Sequence, residues 1–244
     1  MTEEIYSFSR ITPNCLYAWK RTYIDGDRGG NNAFSEYGTI AHEIFEKYSN
    51  QEIFDFEMSE LFVEKFNKMT NEFPPNEYVD LKERYFNDGL RYFKNFEGFP
   101  DKTLEVEQEY IFEIDGIKFI GYPDRIGQDS NGDISIWDYK SSKPYIGDDL
   151  KEKIKQLYLY SIICKEKYGK YPKYLKFVHF RQNKIVTILF NEQELENTKK
   201  WAVKQVQMLR ELKEFPPNLE NKFYCNYICN HRETCEYKVM EVTH

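Results

Sequence analysis

Apolar positions change their period near residue 100. Upstream they recur at helical spacing. Ile40, Ile44 and Tyr48 share one face of a helix predicted from Ser35 to Tyr48, with His42 to one side of that face. "SELFVEKFNKM" and "YVDLKERYFNDGLRYFKNF" read as two more amphipathic helices, the second burying Phe86, Leu90 and Phe93, with "EFPPNE" between them. A short helix is predicted earlier in "TPNCLYAWKRTY", with Thr12 as N-cap and Pro13 at the first helical position.

Downstream the period falls to two. In "TLEVEQEYIFEI", Leu104, Val106, Tyr110 and Phe112 share one face and Glu105, Glu107 and Glu109 the other. Asp115-Gly116 predicts a hairpin turn, "IKFIGYPDRIG" a returning strand, and "DSNGD" a turn into a third strand, "ISIWDYK". A long helix from about Asp148 to Tyr168 closes at Gly169, and "KYLKFVHF" and "KIVTILF" supply two more strands. A final helix from about Glu192 to Leu212 stops at "FPPN" and a cysteine-rich tail follows. This order predicts an α/β fold in which helices flank a central mixed sheet. The crossover after Lys140 is expected to be right-handed if its strands are parallel.

The 244 residues suffice for a sizeable core in one large domain, or in one domain with an appendage. Aromatic residues make up 17% of the chain, with 20 Tyr and 19 Phe, which excludes a disordered chain. Mean hydropathy is −0.74 and no apolar run approaches the length of a membrane span. "MTEEIYSFSR" does not read as a secretory signal, so a cytoplasmic location and no membrane partner are expected. Net charge is −7, yet Tyr139 to Lys184 holds 12 Lys/Arg against 4 Asp/Glu. Such a stretch binds phosphates locally, or is a solvated helix face. Of the five cysteines, Cys225, Cys229 and Cys235 crowd the end while Cys15 and Cys164 stand apart. In a cytosolic chain that pattern reads as metal or cluster binding before disulfides.

Asp124 falls near the end of the second predicted strand and Asp138 near the end of the third. A meander brings both to one sheet edge. Neighbouring carboxylates repel unless a cation lies between them, and Mg²⁺ prefers such oxygen donors. Lys140, two residues beyond Asp138, shares its face. There an ammonium orients a metal-bound water and stabilises charge developing on a phosphate. An exposed strand face with a cross-strand ion pair is the ordinary alternative.

In order along the chain stand Gly38-x-x-x-His42, Gly121-Tyr-Pro-Asp124-Arg125, Asp138-Tyr139-Lys140 and Gln156-x-x-x-Tyr160. Together they resemble the PD-(D/E)XK nuclease superfamily in its RecB-like exonuclease branch, which includes CRISPR-associated and phage-borne members. The resemblance implies a restriction-endonuclease-like core. It implies that His42, Asp124, Asp138 and the carbonyl of Tyr139 hold Mg²⁺ or Mn²⁺ and that Lys140 positions the attacking water. Gln156 and Tyr160 would touch DNA or order the site. Glu107 matches a less regular glutamate of the first strand, with Glu105 as its competitor. Taken singly, His42 is an ordinary surface or core histidine, Gln156 and Tyr160 an ordinary helix face, Arg125 a partner for a carboxylate, and His179 a core residue.

Cys225-x3-Cys229-x5-Cys235 surrounds one metal or cluster but needs a fourth ligand, for which Cys15 is the candidate. RecB-like exonucleases often carry one cysteine before the core and three after it, around a 4Fe–4S cluster that joins the chain ends. Their first C-terminal pair is separated by two residues, whereas three separate it here. Zinc, with His231 as substitute ligand, is the alternative. Cys164 reads as a buried small hydrophobe.

The expected organisation is a clasp of residues 1–30 and 215–244, a helical region of 31–100 carrying the His motif, and a nuclease core of 101–214. The function expected from the resemblance is a metal-dependent DNA exonuclease. It would act on single-stranded or frayed linear ends in recombination, repair, phage DNA processing or spacer acquisition, alongside recombination or CRISPR adaptation proteins, as a cytoplasmic protein or as one encoded by a phage and acting in its host. A non-catalytic DNA-binding scaffold with this fold and a structure-specific endonuclease are the alternatives.

Overall fold

The computed structural model describes residues 4–238, so residues 1–3 and 239–244 of the expected clasp lie outside the described residues. The chain opens with β1 (Ile5–Tyr6), α1 (Phe8–Ile11) and α2 (Leu16–Tyr23). The short helix expected from Thr12 and Pro13 starts later, at Leu16. Thr12 ends α1, with φ −124° and ψ 58°, and α2 begins after Cys15. Pro13 is the reason, because the residue before a proline is driven out of the helical region.

Three longer helices follow: α3 (Ala33–Ser49), α4 (Asp55–Asn67) and α5 (Leu81–Lys94). Asn32 and Ser35 start α3 with a reciprocal capping box, and the Asp80 carboxylate caps α5. Tyr37, Phe45, Phe62, Phe66 and Phe93 are buried between these helices, the sheet residues Trp137, Tyr139 and Val178, and Phe180 just beyond the sheet.

The strands are β2 (Lys102–Val106), β3 (Tyr110–Ile114), β4 (Ile117–Gly121), β5 (Arg125–Gln128), β6 (Ile134–Lys140), β7 (Tyr174–His179) and β8 (Lys184–Leu189). The predicted meander of three strands is in fact two sheets. The central one runs β2-β5-β6-β7-β8 and the smaller β1-β4-β3. Val106 pairs with Arg125 in one sheet while Tyr110 pairs with Gly121 in the other. The alternating run is broken at Glu107, which adopts φ +47°, and the returning run at Tyr122 to Asp124. Pro123 has no N–H for a ladder, so the second break is written in its chemistry. The β3–β4 hairpin turns as expected, with Asp115 and Gly116 at φ +49° and +76°.

Only β6 and β7 are parallel in the central sheet, and α6 (Gly147–Tyr168) joins them. Gly169 closes α6 in the left-handed conformation at φ +72°. From Leu157 to Cys164 every residue of α6 is buried, because the helix shares a core with both sheets, including Phe112 and Phe119 of one and Ile136 and Phe177 of the other. Helix α7 (Glu192–Glu211) packs beside α6 and buries Leu195, Ala202 and Val206. The expected central mixed sheet flanked by helices is therefore present. Among the described residues no helix is long and apolar enough to cross a membrane.

The two chain ends meet. Tyr17 N donates to Pro216 O (3.3 Å), Gly30 N to Asn230 O (2.8 Å) and Arg232 to Asn31 O (2.6 Å).

Candidate active site

Alternation along β6 decides what faces what. Trp137 and Tyr139 point into the aromatic core of α3–α5, where the Tyr139 ring stacks on Phe45 at 4.0 Å. Ile134 and Ile136 point to the α6 side. Asp138 and Lys140 continue that second row, so an apolar row ends in a carboxylate and an ammonium. Lys140 Nζ lies 2.5 Å from Asp138 Oδ2, and the Asp138 side chain is only 1% exposed. Burial disfavours a charged Lys140, but Asp138 and Asp124 outweigh it and hold its pKa above the ordinary value.

Asp124 sits just before β5, where the chain crosses from one sheet to the other. Its Oδ2 accepts the Tyr139 N–H at 2.5 Å, satisfying a donor on β6 beyond the end of β5. Its own carbonyl accepts from Glu107 N at 3.2 Å, which ties the two strand breaks together. His42 reaches the same point from α3. Nδ1 lies 3.0 Å from Glu107 Oε1 and 3.7 Å from Asp124 Oδ1, and Nε2 lies 3.1 Å from the carbonyl oxygen of Tyr139. Each of its ring nitrogens thus faces an acceptor. Burial works against the charge, but Asp124 and Glu107 lift the His42 pKa to about 9. Burial likewise raises the Asp124 carboxyl well above the usual range; Asp138 adds to the rise, while His42 and Lys140 oppose it.

Donor atoms of His42, Glu107 and Asp124 all lie within 4.8 Å of one another. One imidazole, two carboxylates and the adjacent Tyr139 carbonyl suit a hard divalent cation. The Asp138 carboxylate is not part of this set and pairs with Lys140. Of the two glutamates, Glu107 joins His42, whereas Glu105 pairs with Lys167 at 2.6 Å.

Gln156 and Tyr160 lie one turn apart on α6, and Gln156 Nε2 donates to the Tyr160 hydroxyl at 2.9 Å. With Lys140 they line a cavity of about 810 Å³. Gly121 makes room for them, since a Cβ there would stand 2.5 Å from Tyr160 Cε1. Arg125 faces away from this cavity's chemistry. It is fully buried, pairs with Asp101 at 2.7 Å and lies over the Phe99 ring. Asp101 also accepts from Ser135 at 2.6 Å and from Trp137 at 3.1 Å, a scaffold that sequence patterning misses because its members come from three segments. His179 is buried but does more than fill space. Its Nδ1 lies 3.0 Å from Ser142 O and its Nε2 accepts from Tyr145 N at 3.4 Å, so it orders the segment after Lys140. Its place beside Lys140 in the parallel β6–β7 register is the signal that marks it.

Cys15, Cys225, Cys229 and Cys235 line one small cavity of about 20 Å³. All four are free thiols. Burial, then the neighbouring cysteines, push the Cys225 thiol up, and the Cys229 thiol rises with burial first as well. Four cysteines around one cavity suit a soft metal or a cluster, which stabilises the thiolate form. His231 lines the same cavity, but its ring nitrogens face other partners, with Nε2 2.9 Å from Thr22 Oγ1 and Nδ1 3.6 Å from Asp27. Cys164 is fully buried inside α6.

Carboxylates and a histidine that could hold a metal stand beside a lysine at the edge of a mixed α/β sheet. A family model described as the PD-(D/E)XK nuclease superfamily matches residues 8–236, and the chain belongs to that superfamily. A solved structure named "Putative exonuclease", from Eubacterium rectale, superposes with a TM-score of 0.51 at 12% identity, covering 99% of this chain and 91% of that one. A second, SSO0001, gives a TM-score of 0.36 at 14% identity over 92% of this chain and 95% of that one. No curated protein matches the sequence.

Proposed function

We propose that this chain is a divalent-metal-dependent DNA exonuclease of the RecB-like branch, acting on single-stranded or frayed linear ends. The observation that carries the reading is the meeting of His42, Glu107 and Asp124 beside the Asp138–Lys140 pair. His42, Asp124, Glu107 and the Tyr139 carbonyl hold Mg²⁺ or Mn²⁺, with Asp138 next to them. The bound ion supplies positive charge at a phosphate oxygen and lowers the pKa of a water. Lys140, fixed by Asp138, orients the attacking water and stabilises charge that develops on the phosphate. Gln156 and Tyr160 position the strand.

Cys15, Cys225, Cys229 and Cys235 hold a 4Fe–4S cluster that joins the chain ends. Zinc with His231 is the alternative, and the approach of its two ring nitrogens to Thr22 and Asp27 weighs against it.

The test is anaerobic purification followed by cleavage of end-labelled linear and circular single-stranded DNA, with Mg²⁺, Mn²⁺ or chelator and with Asp138→Ala as control. Metal-dependent release of nucleotides from linear DNA alone is expected. Cutting of circles would make the protein an endonuclease, and binding without cleavage a scaffold. Iron and sulfide are expected in near-equal amounts in the same sample. A colourless, zinc-containing preparation overturns the cluster.

A further inference from the structure

The two sides of the metal set differ in charge. On the α3 side a cavity of about 520 Å³ is lined by Glu43, Glu46 and Glu107 with His42. On the other side lies the cavity of about 810 Å³ that holds Lys140, Gln156 and Tyr160 and runs to Cys15 and Cys229 of the cysteine clasp. Among the described residues lining this larger cavity there is no Asp or Glu, in a chain whose net charge is −7. Its walls offer serine and threonine hydroxyls, asparagine amides and aromatic rings. A polyanion is repelled by the first cavity and accepted by the second.

Two side chains in the larger cavity have the right chemistry. On α6, Lys151 pairs with Asp148 and Lys155 with Glu152, whereas Lys153 lines the cavity and makes no ion pair with a described residue. Tyr122 is 42% exposed, and its hydroxyl donates to Glu109 at 2.5 Å, which fixes the ring two residues before Asp124. An anchored, exposed ring is a platform for an unpaired base, and base stacking tolerates any sequence. A duplex hides those base faces.

We propose that one DNA strand lies in this cavity between the cysteine clasp and the sheet, with a phosphate on Lys153 and a base stacked on Tyr122, and so reaches Lys140. This inference rests on the nuclease reading above and deepens it by naming substrate contacts. With one free lysine beside Lys140, affinity comes largely from neutral donors and stacking, so its salt dependence is shallow.

The experiment is anisotropy of a short fluorescein-labelled single strand with Ca²⁺ in place of Mg²⁺, over a salt series, together with Mg²⁺-driven cleavage. Lys153→Ala is expected to weaken binding about five-fold and to flatten the slope of log K against log salt by about 0.7, the value for one phosphate on a single strand. Lys151→Ala is expected to leave both unchanged. Tyr122→Ala is expected to lose about ten-fold in affinity and Tyr122→Phe to keep most of it. Equal effects of Lys151→Ala and Lys153→Ala, or no effect of Tyr122→Ala, with cleavage by the wild type intact, overturn the path but leave the nuclease reading standing. Absence of wild-type cleavage overturns the nuclease reading itself.

Discussion

Gly121 on β4 and Tyr160 on α6 occupy each other's space: a Cβ on Gly121 would lie 2.5 Å from Cε1 and 2.9 Å from Cδ1 of the ring. Two motif positions nearly forty residues apart are thus one packing contact. The Tyr160 ring is buried, and its hydroxyl takes the Gln156 amide proton, so moving the ring disturbs both residues.

Gly121→Ala is therefore expected to destabilise the protein by about 1–3 kcal/mol through overpacking and to lower cleavage at least ten-fold. Adding Tyr160→Ala removes the clash, so the stability losses must be strongly non-additive in a double-mutant cycle. Additive urea-unfolding losses would show that the contact is not what constrains Gly121.

Lys140 and Asp138 make a second pair whose parts are unequal. Lys140→Met strands a buried carboxylate and is expected to cost about 3 kcal/mol in metal-free protein. Asp138→Asn with Lys140→Met removes the charge along with its partner and recovers most of that loss. Cleavage is abolished in both. Equal stability of the single and double variants, measured by urea unfolding with chelator present, contradicts the pairing.

His42 places both ring nitrogens against acceptors, as the imidazolium does. With its pKa raised from 6.5 to about 9, His42 contributes stability that is fully present below pH 6.5 and lost as pH rises through about 9 in metal-free protein. Metal ligation runs the other way, since the nitrogen must first release its proton. Mn²⁺ affinity by calorimetry is expected to climb with pH between 6.5 and 8.5, by up to roughly ten-fold per pH unit for each proton displaced. In His42→Gln this rise is expected to be smaller. A flat wild-type profile excludes a protonated His42 as the competitor.

Much of this centre was legible from patterning. The apolar row of β6 ending in Asp138 and Lys140, and the long helix closed by Gly169, follow from period and punctuation alone. The strand break at Glu107 carries no signal in the pattern, whereas Pro123 marks the one at Tyr122 to Asp124. Glu105 and Glu107 share a face in any uninterrupted strand, and only the left-handed turn at Glu107 sends one to His42 while the other pairs with Lys167. Strand β1, two residues long, carries no period at all. Asp101 escaped because its partners Arg125, Ser135 and Trp137 are brought to it by tertiary packing.

Asn32 connects the cysteine segment to the helix that carries His42. Its Oδ1 accepts from Ser35 N at 3.0 Å, capping the helix that carries His42, and its Nδ2 donates to Ile228 O at 2.8 Å, within the cysteine segment. The residue is 4% exposed, so neither bond has water as a ready substitute. Serine retains the cap but is too short to reach Ile228, and alanine retains neither. Asn32→Ser is expected to cost about 1 kcal/mol and Asn32→Ala about 2 kcal/mol, in line with one lost hydrogen bond and then a lost cap. Because the start of α3 is loosened, Mn²⁺ affinity is expected to fall in the same order as stability. A cap acting only on its own helix end would lower the unfolding midpoint of Asn32→Ala, spare Asn32→Ser, and leave Mn²⁺ affinity at the wild-type value in both.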